Sequence, residues 1–534
     1  MLEEVRDKAI KNADGKPTHI LIEGDNYHAL TCLNYTHRGK IDVIYIDPPY
    51  NTGNDGFTYK DARFLTEFPD GTKIDKNHPL RHSAWLSFMA KRLELAKNLL
   101  SEKGVIFISI DDNEQANLKL LCDRIFGEEN FVATIPRLTS PQRSGQEAYM
   151  NVSHDYVLAY SYSSTFNFVI RRDLSGKKLK RDKNGLYVEG DTKAILAASS
   201  QGYSQGGDYD FLYNGKLYRP IDKKGVRNRW LWTRPRMEAA AKLGILVETK
   251  STLRMQVYLD KKFEEFTNKL VPKNEKLIFH SADLMNNGEF SNPTGDKELK
   301  EISIVFAYPK PVNLVKILCE LASVKSSIIL DFFAGSGTTM HATMKLNAED
   351  GGKRQCILVT NNENQICEKV TYERNRRVMC GYVNSKGENV AGLGNSMKYY
   401  RTAFVGGNDA KNARDRDRRE LSRKAGALLS LAENTLEELS VPEAEAAYFQ
   451  IFSDGKYRFT AVYFALDWTH LDALVGTLKT LSAQTRGKAR FAIYVYCDGA
   501  PDIFEDDLAD VPGATLKAIP RPILEIYKTI NGGK

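Results

Sequence analysis

Asp47-Pro48-Pro49-Tyr50 closes the apolar run Ile41-Asp42-Val43-Ile44-Tyr45-Ile46, and its residue types suit chemistry on a planar amine. The Asp47 carboxylate can accept a hydrogen bond from an amino group. The Pro48 carbonyl can accept a second, because Pro49 has no N–H to donate to it. Tyr50 offers a ring on which a flat heterocycle can stack. A second chemical stretch is Asp331-Phe332-Phe333-Ala334-Gly335-Ser336-Gly337-Thr338-Thr339. Glycines at a strand-to-helix turn let backbone amides approach a ligand, with the helix N-terminus pointing at it. A phosphate loop would need Gly-Lys-Ser/Thr after its second glycine, whereas Thr338-Thr339 follow Gly337 here. A dinucleotide fingerprint would need a third glycine, which is missing.

The elements that must carry these stretches are legible nearby. A β-branched run stopped by two prolines reads as a buried strand leaving its sheet, which puts Asp47 at a carboxyl end, where open α/β sheets bind ligands. Before it, residues 19–23 read as a strand, Gly24-Asp25 as a turn, and Leu30 and Leu33 as part of an amphipathic helix. Asp25 is either a turn or cap residue or a ligand contact. Residues 51–70, rich in Gly, Asn and Asp, read as a long loop at the mouth of the site. Trp85, Phe88, Met89, Leu93 and Leu100 share a helical face, Lys103-Gly104 closes that helix, and 105–110 and 156–160 read as strands. The acidic step Asp111-Asp112-Asn113-Glu114 suits capping by Asp112 or Asn113 better than a metal site. In the second half, Ser327-Ile328-Ile329-Leu330 runs into the glycine turn, and residues 354–360 form the next strand. Glu363 is then the nearest acidic group for ribose hydroxyls, with Asn361 and Asn362 intervening.

Together, DPPYNTGNDGF and DFFAGSGTT resemble the motifs of DNA amino-methyltransferases of the β group, in particular the modification (Mod) subunit of type III restriction-modification systems. The resemblance covers roughly residues 17–400. It implies an α/β, Rossmann-like methyltransferase with circularly permuted motif order. It also implies S-adenosyl-L-methionine as cofactor and methyl transfer to the N6 amino group of adenine in a specific sequence of double-stranded DNA. By the same resemblance, Asp47, Pro48, Pro49 and Tyr50 are the catalytic residues; Asp25, Asp331, Phe332, Ala334, Gly335, Gly337, Thr338 and Glu363 are expected at the cofactor. Alternatives are an orphan N6-adenine or N4-cytosine enzyme, or a DNA-binding relative without turnover. Methylation at cytosine carbon would need a nucleophilic cysteine, and no Pro-Cys pair occurs.

From 163 to 300 the strand-helix alternation gives way to basic and aromatic sequence. Lys177, Lys178, Lys180 and Arg181, and Arg227, Arg229, Arg234 and Arg236 around Trp230 and Trp232, are candidate phosphate contacts, although charge runs are also common solvated faces. In the resembling family a target-recognition domain is inserted at this place. The expected division is therefore 1–162 for the catalytic half, 163–300 for recognition, 301–401 for the cofactor half and 402–534 for a small α/β assembly domain behind a charged linker. The resemblance further implies a homodimer and a separate ATP-dependent restriction subunit. A net charge of +7 over 534 residues permits a nucleic-acid partner without requiring one. Seven scattered cysteines without a Cys-x-x-Cys pair argue against disulfides and zinc, so no metal is expected. No run approaches the roughly 18 apolar residues of a membrane span, and the charged N-terminus does not resemble a secretion signal, so a cytoplasmic protein is expected.

Overall fold

The computed structural model describes residues 1–12, 14–52, 79–140, 152–168, 179–198, 201, 204–221, 225–258, 261–272, 288–403, 425–465, 468–495 and 504–520. Most of the expected 51–70 loop, Lys177, Lys178 and the side chain of Arg181 lie outside them. The chain divides into two compact units, one made of Met1–Ile170 with Phe279–Lys534, the other of Arg171–Ile278.

The first unit is built on a nine-stranded sheet. Its elements in chain order are β1 (Leu2–Glu4), β2 (Thr18–Glu23), α1 (Asn26–Thr36), β3 (Ile41–Ile46), α2 (Pro79–Leu99), β4 (Leu100–Ile110), α3 (Gln115–Phe126), β5 (Phe131–Leu138) and β6 (His154–Ser161). After the second unit follow α4 (Val312–Ala322), β7 (Ile328–Asp331), α5 (Thr338–Asp350), β8 (Gln355–Thr360), α6 (Glu373–Cys380) and β9 (Ser396–Thr402). The strand order is β1-β9-β2-β8-β7-β3-β4-β6-β5. Six central strands, β9 to β4, run parallel, and β1, β6 and β5 are antiparallel to their neighbours.

A parallel sheet is covered on both faces, so its strands are apolar at consecutive rather than alternate positions. Ile44, Ile46, Ile106, Ile108 and Leu330 point into one layer with residues of α1, α2 and α3. Val43, Tyr45, Val105, Phe107 and Ile329 point into the other, against α4 and α5. This is a doubly wound, Rossmann-like α/β sheet. From β7 the chain crosses through α5 to β8 on one side, and from β3 through α2 to β4 on the other. The order therefore reverses between β7 and β3, and a ligand crevice opens at such a switch point. β4 begins at Leu100 rather than Val105, because Leu100 already pairs with Ile41 ahead of a register shift.

The segment expected as a separate C-terminal domain joins the first unit. Its five strands, Glu437–Leu439, Phe449–Ser453, Arg458–Tyr463, Arg490–Val495 and Ala514–Ala518, form a second sheet in that order. One face packs on the helix Leu471–Gln484. The other face, through Phe452, Val462, Phe464 and Tyr494, shares a core with Leu428, Leu429, Leu431 and the α1–α3 layer. Lys40 Nζ donates to the Ala432 carbonyl at 3.0 Å, and Arg6 pairs with Glu438. The charged run before it does not make this sheet independent, because its apolar face is buried in the core of the first unit. The second unit holds a four-stranded antiparallel sheet and the helix Arg234–Leu243, around a core that includes Trp230, Met237, Leu253 and Tyr258.

A chain ending at Thr402 would lose the part of the first unit's core supplied by Leu428, Leu429, Leu431, Phe452, Val462, Phe464 and Tyr494. It is expected to aggregate or to melt well below the full chain in thermal unfolding. An unchanged melting temperature with monomeric scattering would show that the second sheet is dispensable.

Candidate active site

Parallel pairing of Ile329 with Val43 and Leu330 with Ile44 sets the two motif-bearing strand ends side by side. Asp47 lies just past the end of β3, with about a quarter of its side chain exposed. Both of its carboxylate oxygens accept from Lys310 Nζ at 2.7 Å. In sequence Lys310 lies in the stretch Tyr308-Pro309-Lys310-Pro311, ahead of α4. A lysine between two prolines gives no local cue that it enters a site.

The rest of the Asp47–Tyr50 turn is braced from below. Trp85 Nε1, fully buried, donates to the Pro49 carbonyl at 2.8 Å. Asn51 adopts a left-handed φ of 57°, and its amide donates to Glu114, a buried carboxylate that also meets His82 Nδ1 at 2.7 Å and Asn117 Nδ2 at 2.9 Å. The acidic step after β4 thus contributes an anchor for the turn. Asp112 accepts from Tyr156, and Asp111 accepts the Asn113 N–H. Neither expected cap, Asp112 nor Asn113, serves as one, because Glu114 holds the N-cap position of α3. Among the described residues no cluster of three potential metal ligands exists. Tyr50 is half-buried; its hydroxyl points at Asp155 Oδ2, 3.4 Å away, and the Asp155 carboxylate is held by the buried guanidinium of Arg137, with Nε at 2.7 Å. Burial, reinforced by the Asp47 and Asp155 carboxylates, raises the phenol pKa well above its ordinary value. Tyr50 therefore remains a neutral aromatic surface.

On the other side of the crevice Asp331 is buried at the end of β7, accepting from the Phe333 N–H at 3.0 Å and the Thr339 hydroxyl at 2.5 Å. Burial pushes its carboxyl up to about 7, the two hydrogen bonds oppose the shift, and the charge of Asp47 adds to it. The Gly335–Thr338 turn is clamped by α6 and the turn before it. The Thr371 hydroxyl donates to the Gly335 carbonyl at 2.6 Å, and buried Arg374 donates to Ser336 and Thr338 hydroxyls at 2.9 and 2.7 Å. Gly337, at φ 77°, has no room for a side chain: a Cβ there would lie 2.4 Å from Asn375 Nδ2. Its constraint is helix packing. At Gly335, by contrast, a Cβ meets nothing closer than Phe306 at 3.6 Å.

The expected cofactor-site residues divide. Asp331, Ala334, Gly335, Gly337 and Thr338 surround the turn, but the Phe332 ring is fully buried in the core, and Phe333 is the half-exposed member of the pair. Asp25 caps α1 through the Tyr27 N–H at 2.8 Å and faces Arg92 at 3.4 Å, so the capping role is real. Glu363 is exposed in a short turn. Two residues earlier, directly after β8, Asn361 Oδ1 is buried and has no hydrogen-bond partner among the described residues. An unfilled acceptor at that strand end, beside an open glycine turn, fits a ligand bearing hydroxyl or amino donors, as S-adenosyl-L-methionine does. Nothing local in the sequence marks Asn361, because the group that holds ribose hydroxyls at this strand end is ordinarily a carboxylate.

In the second unit the basic residues are largely engaged internally. Arg236 donates to the carbonyls of Phe263, Glu264 and Glu265 and lies over the rings of Trp232 and Phe263. That makes it a structural residue, correcting its expected role at phosphate. Arg227 pairs with Asp208 at 2.7 Å and Asp210 at 3.3 Å, Arg234 stacks over Tyr209, Arg229 donates to the Gln201 carbonyl, and Lys180 pairs with Glu189. These four remain at least partly exposed. Trp230 is a core residue, whose indole N–H donates to the Tyr209 carbonyl.

Two outcomes follow for the crevice. Gly337→Ala is expected to lose about 1–3 kcal/mol, whereas Gly335→Ala is expected to lose no more than about 1 kcal/mol, as judged by urea unfolding. Equal losses would refute the packing role of Gly337. For Asp331, the folded carboxyl titrates near 7 against an ordinary 3.8, so the folded chain keeps a proton that the unfolded chain releases in between. Stability from this group is therefore full below about pH 4 and is lost as pH rises to about 7. Relative to wild type, Asp331→Asn should gain stability steadily across that window and hold a constant difference above it. A flat difference would contradict the shift.

A family model described as DNA methylase matches residues 41–376. The Mod subunit of the type III restriction-modification enzyme StyLTI from Salmonella typhimurium is 35% identical over 67% of this chain and 56% of its own length. The EcoPI Mod subunit of Escherichia phage P1 is 32% identical over 65% and 58%. The type II methyltransferase M.KpnI of Klebsiella pneumoniae is 30% identical over 66% of this chain and 83% of its own length. This chain spans a little over half the length of the two type III relatives. With the family model covering more than half of its residues, both motif turns included, the chain belongs to the DNA methylase family.

Proposed function

We propose that the chain transfers a methyl group from S-adenosyl-L-methionine to the N6 amino group of adenine in double-stranded DNA. The observation that carries this reading is the apposition of the Asp47–Tyr50 turn and the Gly335–Gly337 turn across the β7–β3 switch point. The adenine is flipped out of the duplex and laid on the Tyr50 ring. Asp47 and the Pro48 carbonyl accept the two amine hydrogens, which turns the nitrogen lone pair toward the methyl donor. The bound cofactor supplies an electrophilic methyl on a sulfonium. As the N–C bond forms and the S–C bond breaks, the amine becomes acidic and its surplus proton leaves by way of Asp47 to solvent. Two positive centres are exchanged rather than created, so orientation carries most of the rate.

The cofactor is proposed to lie along residues 335–338, with Asn361 rather than Glu363 accepting from it. Recognition of sequence is assigned to the second unit, with Lys180, Arg227, Arg229 and Arg234 as phosphate contacts that exchange their internal partners for DNA. The names of the StyLTI and EcoPI relatives support a place as the modification subunit of a type III system. In that reading the chain works as a homodimer beside a separate ATP-dependent restriction subunit. Residues beyond 402 are the proposed docking region, since they lie outside the residues that the family model matches. No helix among the described residues is long and apolar enough to cross a membrane.

Asp47→Ala is expected to abolish methyl incorporation into unmodified plasmid DNA, with calorimetric affinity for S-adenosyl-L-methionine within about twofold of wild type, because its bonds serve the reacting amine. Mass spectrometry of digested product should show N6-methyladenine. N4-methylcytosine alone would move the substrate to cytosine, and no modified base would leave the DNA-binding relative as the better reading.

A further inference from the structure

We infer that Lys310 is a positioning residue for the reaction: it holds the Asp47 carboxylate in the orientation that receives the target amine and ties that orientation to the cofactor turn. The inference rests on the proposed methyl transfer and names a residue that neither motif contains.

The geometry is that of a clamp. Lys310 Nζ bonds both carboxylate oxygens of Asp47 at 2.7 Å, with only 9% of the lysine side chain exposed, and the same ammonium sits 5.0 Å from the centroid of the Tyr50 ring. One cation thus contacts both groups that would hold the base. A carboxylate offers about four lone-pair positions. Lys310 uses one on each oxygen, so the amine can be accepted without displacing it. An aspartate side chain has two rotatable bonds, and an unpaired Asp47 at the mouth of a crevice would sample several rotamers. The clamp removes that freedom before the base arrives.

The lysine is itself fixed from three directions. Pro309 and Pro311 restrict the backbone on either side. Gly295, in the helix Asn292–Glu301, brings that helix so close to the connector that a Cβ would lie 2.4 Å from the Pro309 carbonyl oxygen. Glu298 accepts the Val312 N–H at 2.9 Å. Finally the Lys310 carbonyl accepts the Thr338 hydroxyl at 3.2 Å, and that hydroxyl also takes a bond from buried Arg374. The main chain of Lys310 therefore belongs to the glycine turn and its side chain to the amine-binding turn. A displacement of one turn is passed to the other through a single residue.

The test is Lys310→Met, which keeps the length of the side chain and removes the charge, compared with Lys310→Arg and wild type on unmethylated genomic DNA. Loss of orientation is expected to lower kcat about 10- to 100-fold. KM for DNA and the Kd for S-adenosyl-L-methionine should stay within about twofold, and Lys310→Arg, whose fork also matches a carboxylate, should recover part of kcat. In a crystal structure of Lys310→Met the Asp47 carboxylate should leave its place or split into alternate rotamers. A wild-type kcat in Lys310→Met overturns the inference. So does a parallel loss of kcat, cofactor affinity and melting temperature in both variants, which marks a structural strut only. Wild type inactive on every DNA tested overturns the methyl-transfer proposal instead. The crystallographic arm then decides Lys310 alone, an unmoved Asp47 carboxylate overturning its positioning role.

Discussion

The parallel pairing of β7 with β3 is the contact on which the site depends. It joins a strand that precedes the second unit along the chain to one that follows it, so nothing local enforces it, and parallel neighbours always require a long crossover. For about 280 intervening residues the length-dependent part of loop closure costs about 5 kcal/mol. Val43, Ile44, Ile329 and Leu330 are all fully buried at this seam. At about 1.5–3 kcal/mol each, their burial offsets the closure with some margin.

Five ionisable groups line the crevice, and the fold treats them differently. Asp331 is buried, and burial pushes its carboxyl up toward the neutral form against the opposing hydrogen bonds from the Phe333 amide and the Thr339 hydroxyl. Asp47 stands beside it, partly open to solvent and paired with Lys310. Deeper in, Arg137 and Asp155 form a buried pair whose remaining donors reach the Phe290 carbonyl and Asn292. Losing one member of such a pair typically costs 3–5 kcal/mol because the other is left charged and unpaired. That makes the Arg137–Asp155 pair a rigid backstop for the Tyr50 ring. The two adjacent carboxylates avoid mutual repulsion through different means, one by burial and one by a cation.

The second unit shows how far composition can mislead about contacts. A guanidinium carries five donors, and Arg236 satisfies most of them on carbonyls of its own unit. Trp230 and Trp232, interleaved with arginines in sequence, fill or flank the core. What remains available for an anionic partner is a smaller set, led by Arg227, Arg229, Arg234 and Lys180. Their present partners are the half-buried Asp208, Asp210 and Tyr209, the exposed Glu189 and single carbonyls.

The sequence by itself determined the elements and the two motif turns. Consecutive β-branched residues, paired prolines and glycines at strand ends act within a few residues, and they located β3, β7, β8 and the turns that follow them. It also carried the family resemblance, since Asp47–Tyr50 and Asp331–Thr339 are contiguous strings. Only the tertiary structure decided which distant side chains complete the crevice. Lys310, Glu114, Arg374 and Asn361 sit in a connector, a cap, a helix and a strand end that look ordinary in sequence. The C-terminal sheet likewise looked independent until its apolar face was found in the same core as α1–α3. The physical reason is common to all of them: a parallel sheet joins its strands through long crossovers, so contacts between their ends recur with no period along the chain.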